Sequence, residues 1–312
     1  MSTTPSNSEA ISPKPAPGRA SETWRSIHRS WSGRIGLVLA SVVIFCALAA
    51  PLVAPFQPNK VLFDSVKNEK KLERPCVHLL GCSKAEVQHL MGLDINGRDY
   101  FSRIVYGARV SLGISIAAIL VGLIIGTLIG LVSGFFGGRT DNLLMRTMEV
   151  LLAFPSLLLA ILIVTVLGRG LSSTVIAIGV VSIPVFARIV RGQALSLREQ
   201  DFVAADRALG VSNRRLMFHR ILPNTLTPLT VQATLGLATA VLETAGLGFL
   251  GLGAQPPTAE WGSMLAQHRG LVFSNPYLVI FPGIAILINV LGFNLLGDAL
   301  RDALDPRTAG RE

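Results

Sequence analysis

The sequence predicts an all-α integral membrane protein with six transmembrane helices. Three observations carry this. Half of the 312 residues are hydrophobic and only 15% are charged, with a mean hydropathy of +0.54; a soluble domain carries nearer 25% charged residues. Six apolar runs are each long enough to cross the hydrocarbon core, which takes about 20 residues. Two of those runs carry a small residue at every fourth position, the pattern that lets membrane helices approach backbone to backbone.

In chain order, residues 1–34 read as a cytoplasmic tail. Its first part is rich in Ser, Thr, Pro and Ala, a composition that does not build a core. Trp24 to Arg34 is basic and aromatic, which suits a helix lying at the membrane interface. Residues 35–56 form the first span, uncleaved because the polar region before it is too long for a signal peptide. Residues 57–109 form a long external segment ending in an amphipathic helix, and hold five of the six lysines together with Cys76 and Cys82. Those two cysteines form either a disulfide, if the segment faces an oxidising compartment, or two separate thiols.

Residues 110–300 form a core of five helices. The second span, Leu112 to Phe136, carries Ala118, Gly122, Gly126, Gly130 and Gly134, a continuous small ridge expected to pack on another helix. The third span ends near Leu167, with Pro155 expected to bend it. The fourth, Thr174 to Val190, holds Pro184. The fifth, Asn224 to Leu250, repeats the small ridge at Gly236, Ala240, Thr244 and Gly248 and contains Glu243. An ionisable group at membrane depth is costly and marks either a substrate path or a bond to a neighbouring helix; both readings of Glu243 stand. Trp261, in the loop before the last span, is expected at the interface. The sixth span runs from Tyr277 to Leu296, and residues 301–312 are a cytoplasmic tail.

The segment 191–224 between the fourth and fifth spans is polar and basic. Phe202, Ala205 and Leu209 fall on one face of a short helix, Gly210 stops it, and Ser212 or Asn213 caps a second helix carrying Leu216, Met217 and Phe218 that Pro223 closes. With both ends inside, 17 of the 28 Lys and Arg lie on the cytoplasmic side, and the bias is clear in the short loops, which weigh most. The basic charge therefore reflects topology; no nucleic-acid motif accompanies it.

Ala205, Gly210, Leu222 and Pro223 fall at the spacing of the cytoplasmic coupling loop of ABC-importer permeases, which this segment resembles. The family's Glu and second Ala are Ala204 and Asp206 here. The stretches Gly92-Leu-Asp-Ile-Asn-Gly-Arg-Asp99, Tyr106-Gly-Ala-Arg-Val-Ser-Leu112 and Glu243 to Gly253 resemble the dipeptide/oligopeptide/nickel branch, and within it the second (C-type) permease subunit. The resemblance covers nearly everything from Ile35 to Arg307. It implies a type I ABC importer permease fold and a permease that forms half of a translocation path for di- and oligopeptides. It also implies a prokaryotic cell-membrane location with both termini cytoplasmic, a homologous permease subunit, two ATPase subunits and an external substrate-binding protein. Arg207, Leu209, Arg214, Arg215 and Phe218 are then the contacts to the ATPase, although the arginines also read as plain positive-inside charge. The long external segment is expected to touch the partner permease or the binding protein.

No lysine follows a glycine, so the chain has no phosphate-binding loop of its own. No catalytic residue, metal site or bound cofactor is expected, ATP and Mg belonging to the separate ATPase. Nickel chelates or glutathione are alternative cargoes on the same architecture. A secondary transporter would want more charge along its spans and an inverted repeat. A membrane enzyme would want clustered His, Asp or Ser, and the five histidines are scattered.

Overall fold

The computed structural model describes residues 19–62, 72–76 and 89–304, with the side chains of 19–23 left aside. Among these residues the chain is helical with only two isolated β-bridges. Helix α1 (Arg19–Arg29) meets α2 (Trp31–Leu48) at Ser30, whose hydroxyl accepts from the Gly33 amide and so caps α2. A single turn, α3 (Ala50–Val53), follows. The first apolar run is thus split: Pro51 cannot continue α2 and instead occupies the first turn of α3.

Helix α4 (Tyr100–Phe136) is one continuous element of 37 residues. The amphipathic external helix and the second span expected as separate units are therefore one rod. Asp99 caps it, accepting from the Ser102 amide, and Gly137 ends it at φ +66°.

The third apolar run does not bend smoothly at Pro155. It breaks into α5 (Gly138–Leu152) and α6 (Ser156–Leu167), whose axes differ by 92°. Pro155 stands just ahead of α6, where its missing amide costs nothing; in a continuous helix it would have removed a hydrogen bond and struck the preceding turn. Helix α7 (Leu171–Arg198) carries Pro184 within it. Then come α8 (Asp201–Ala208), the short α9 (Asn213–Arg215), a π-turn at Leu216–Ile221, and α10 (Leu222–Phe249). Pro223 therefore does not close a helix. It occupies the first turn of α10, and the chain runs helically from Asn213 to Phe249. The wide π-turn accommodates the amide that Pro223 lacks. Helices α11 (Trp261–His268) and α12 (Tyr277–Leu304) complete the fold.

Among the described residues, five helices are long and apolar enough to cross a membrane, and α5 with α6 makes a sixth if the bent pair counts as one. The main seam joins α4 to α7; α2 packs on α12, and α12 on α10. Gly36 lies against the backbone of Leu295 and Leu296, and Gly297 against Leu235. These contacts put the start of α2, the end of α12 and the start of α10 at one end of the bundle, with α8 and the π-turn. At the opposite end sit Leu93, Tyr100, Trp261 and Tyr277 around a second core. Trp261 is packed inside the protein: it is 2% exposed, and its indole donates to the Ile104 carbonyl at 3.0 Å. Gly107 has no side chain and so leaves room for the ring.

Candidate functional site

Helix α8 has one buried side chain, Val203, in the core with Leu216, Met217 and Ile221 of the π-turn. Its other apolar residues face outward. Phe202 and Ala205 are exposed, and Leu209 is 82% exposed. Gly210 at φ +79° turns the chain; its amide donates to the Arg207 carbonyl and that of Val211 to the Asp206 carbonyl, both at 3.0 Å. That pair of bonds is the Schellman closure, and the left-handed corner favours glycine. Ser212 occupies the cap position of α9 without a side-chain hydrogen bond.

The π-turn sorts its residues by face: Leu216, Met217 and Ile221 point inward, and Phe218, His219 and Arg220 outward. Asp206 pairs with Arg220, Nε to Oδ2 at 2.5 Å, so α8 is fastened to the π-turn. This gives the unusual Asp206 a job that the family's alanine at that position does not have. Arg207 lies over the Phe135 ring at 5.9 Å, which ties α8 to the end of α4. Arg214 and Arg215 are exposed and make no ion pair among the described residues. With Ser212, Phe218 and His219 they line an open cleft of about 420 Å³. Leu222 is half-buried and Pro223 exposed at the start of α10. The nine residues expected at a docking contact thus fall in one segment, but Leu222 and Pro223 belong to the helix behind it.

This segment is rigidly joined to the bundle. Along α4, a Cβ added at Gly122 would lie 2.6 Å from Ser182 Cβ, at Gly126 2.6 Å from the Ile183 carbonyl oxygen, at Gly130 2.3 Å from that of Ala187, and at Gly134 2.7 Å from Ala194 Cβ. All four glycines face α7; two of these contacts are to backbone oxygens, and each glycine has a backbone atom of α7 among its nearest neighbours. Glycine here is a requirement of close approach. At the end of the seam, Arg191 of α7 grips Asp141 of α5 with two bonds of 2.6 Å, and Ser133 of α4 donates to the same carboxylate. Arg198 donates to the Gly134 carbonyl at 3.2 Å. Helix α7 leads into α8 through Glu199 and Gln200, so the same helix that carries α8 makes these contacts to α4 and α5.

Glu243 is buried on α10 and lines the same space as Ser156, the first residue of α6. Both residues line two cavities.

The opposite end holds buried polar groups that the sequence placed in motifs without assigning roles. Asp94 accepts from the Asn96 and Arg98 amides and from Arg98 Nε at 2.7 Å. Asp99 bonds His89 at 3.0 Å as well as Ser102. Arg103, fully buried, donates to the carbonyls of Pro58 and Pro257 and to Asn59, pinning two loops to α4. Glu260 caps α11 by accepting from the Gly262 and Ser263 amides at 2.7 and 2.8 Å. Burial pushes its carboxyl above the usual carboxylate range, opposed by those amides and the Ser111 hydroxyl. Burial holds His268 below the usual histidine value, against a hydrogen bond to the Met264 carbonyl. Neither the capping role of Glu260 nor its burial was readable, since glutamate is not among the residues favoured at a helix N-cap. Cys76 is disulfide-bonded and Cys46 is free. Cys82, and most of the external segment expected to meet a partner, lie outside the described residues. No His/Cys/Asp/Glu group suited to a metal ion occurs among the described residues.

A multi-helix membrane bundle with tight small-residue seams and an outward-facing amphipathic segment at one end defines the class of a transport permease. The chain belongs to the family of binding-protein-dependent transport system inner membrane components, which it matches over residues 126–310. It is 44% identical over 286 residues to the dipeptide transport system permease protein DppC of Alkalihalophilus pseudofirmus, covering 92% of this chain and 89% of that protein. It is 45% identical to the di/tripeptide transport system permease protein DppC of Pseudomonas aeruginosa, over 93% of both chains. It is 41% identical to the glutathione transport system permease protein GsiD of Escherichia coli, over 93% of this chain and 91% of that one. Its fold is similar to a chain of the MetNI methionine ABC transporter in an inward-facing form, with a TM-score of 0.53 and 21% identity over 66% of this chain and 98% of that one. The chain is therefore a membrane permease component of the ABC-importer type.

Proposed function

We propose that this chain is one of two homologous permease subunits of an ATP-driven importer of di- and oligopeptides. The observation that carries the coupling role is the outward-facing apolar and basic surface of Phe202, Leu209, Arg214, Arg215 and Phe218 on a helix-glycine-helix locked to the bundle. An exposed leucine beside arginines and aromatics is the composition of a protein contact. The partner at that contact is the ATPase subunit, two of which hydrolyse ATP with Mg on their own residues. Closure of the ATPases moves α8 as a rigid body. The motion enters α7 by direct continuity, α10 through the π-turn, and α4 through the glycine seam.

The cargo reading is supported by one relative named for dipeptide transport and one for di/tripeptide transport, at 44–45% identity across nearly the whole chain. Glutathione, a tripeptide itself, belongs to the same chemical class and is the alternative cargo. An external binding protein delivers it to the end of the bundle that carries Trp261 and Cys76. That end faces outward, and both termini lie in the cytoplasm of a prokaryotic cell, as the excess of positive charge at the opposite end requires.

The test is ATP-dependent uptake of labelled alanyl-alanine into proteoliposomes carrying the complete transporter. Uptake that needs ATP, the binding protein and this chain supports the reading. Uptake of glutathione but no dipeptide would move the cargo to the alternative, and uptake without ATP would refute the coupling role.

A further inference from the structure

Glu243 is the only buried acid on the long helices α2, α4, α7, α10 and α12. It sits where the α5–α6 break brings Ser156 against α10. Two cavities meet there. One, of about 200 Å³, is bounded by α4, α5, α7, α10 and the start of α6; the other, of about 640 Å³, opens between α6, α10, α11 and α12. Ser156, Thr239 and Glu243 are the residues common to both. Gln232 and Ser182 add polar groups on the smaller side, while the larger is otherwise almost wholly apolar. The larger volume falls within the range of about 300–1,000 Å³ typical of small-molecule sites.

A carboxylate in such surroundings needs a cation or dense hydrogen bonding. Ser156 and Thr239 are the hydroxyls that share both cavities with it, and no Lys, Arg or His lines either cavity. The site therefore offers a negative group without a resident cation, flanked by two hydroxyls and facing an apolar chamber. The matching ligand is a primary ammonium on a body of variable apolar character. Short peptides of different sequence share little beyond their two charged ends and their amides. One carboxylate reading the ammonium, with an apolar wall that is indifferent to side chains, recognises what they have in common.

We propose that Glu243 is a substrate-contacting residue of the translocation path, receiving the α-ammonium of the peptide at the junction of the two cavities, with Thr239 and Ser156 flanking it. This rests on the peptide-import reading above. The rival role is an anchor that only holds α6 in place through Ser156.

The experiment uses the complete transporter in proteoliposomes with saturating binding protein and labelled alanyl-alanine, measuring uptake and ATP hydrolysis together. Glu243→Gln keeps the size and hydrogen-bonding capacity of the side chain but removes the charge. The proposal expects peptides carried per ATP to fall about tenfold or more, the weight of one charge-assisted hydrogen bond. It also expects assembly to be unchanged, ATP hydrolysis to be retained while uptake falls, and Glu243→Asp to restore most of the uptake. Wild-type transport by Glu243→Gln overturns it. Equal loss of uptake and ATP hydrolysis in Glu243→Gln, reproduced by Ser156→Ala, also overturns it and establishes the anchor. Absence of dipeptide uptake in the wild type would instead refute the cargo reading on which it stands.

Discussion

The α4–α7 seam makes a prediction whose sign depends on one contact. A Cβ at Gly130 would lie 2.3 Å from the Ala187 carbonyl oxygen, 2.9 Å from Val190 Cβ and 3.0 Å from the Ala187 carbonyl carbon. A carbon–oxygen contact settles at about 3.3 Å, so Gly130→Ala forces the two helices about 1 Å apart at that point. A gap of that size forfeits roughly a quarter to a half of the dispersion well for the neighbouring pairs. Because two of the three nearest atoms are backbone, no side-chain rotation relieves it. The expected cost is that of overpacking, about 1–3 kcal/mol. Gly113, on the same helix, has no heavy atom within 4 Å of an added Cβ. Gly113→Ala therefore carries only the helix-propensity term, a gain of roughly 0.5–1 kcal/mol. Thermal unfolding of the detergent-solubilised variants, followed by tryptophan fluorescence, reads the pair side by side. Gly130→Ala should melt below wild type and Gly113→Ala at or above it. Equal melting temperatures for the two would refute the claim that the glycine seam is set by backbone approach.

Glu260→Ala leaves the Gly262 and Ser263 amides and the Ser111 hydroxyl without their buried acceptor, a loss of about 1–3 kcal/mol seen as a lower melting temperature. His268 is held below its ordinary value by burial. The unfolded chain therefore takes up a proton at about pH 6.5 while the folded chain does not, so stability contributed by this residue is present above that pH and is lost as the pH falls below it. Glu260 acts with the opposite sign, its raised value making the folded state relatively more stable as the pH falls through it. His268→Gln should accordingly melt with a smaller loss between pH 7.5 and 5.5 than wild type, and an unchanged pH dependence would exclude His268 as its source.

The periodicity of the apolar runs was enough to locate the helices and the α4 ridge, because small residues at every fourth position leave few other packings. What it did not show was where helices join or break. Asp99 caps α4 well before the apolar run begins, so the external helix and the second span are one. The amount of bend at Pro155 depends on what α6 packs against, and tertiary contacts set the 92° break. The π-turn at Leu216–Ile221 shifts register by a residue, which simple helical periodicity does not register. Arg103 and Glu260 read as ordinary surface charges in sequence; that they are buried depends on loops from distant parts of the chain closing over them. Asp206, which stands where the family has its second alanine, was explained only once Arg220, 14 residues on, was seen beside it.

The central claim is that the outward face of α8 is where the ATPase holds this permease. Leu209 is the residue to change, since at 82% exposure an aspartate there disturbs no internal contact. The measurement is retention of ATPase subunits on the detergent-purified chain, wild type beside Leu209→Asp, with the melting temperature taken on the same samples. The account predicts that Leu209→Asp stays in the membrane, melts like wild type and loses most of the bound ATPase together with dipeptide uptake. Full ATPase retention by a normally folded Leu209→Asp would contradict it and place the coupling contact elsewhere.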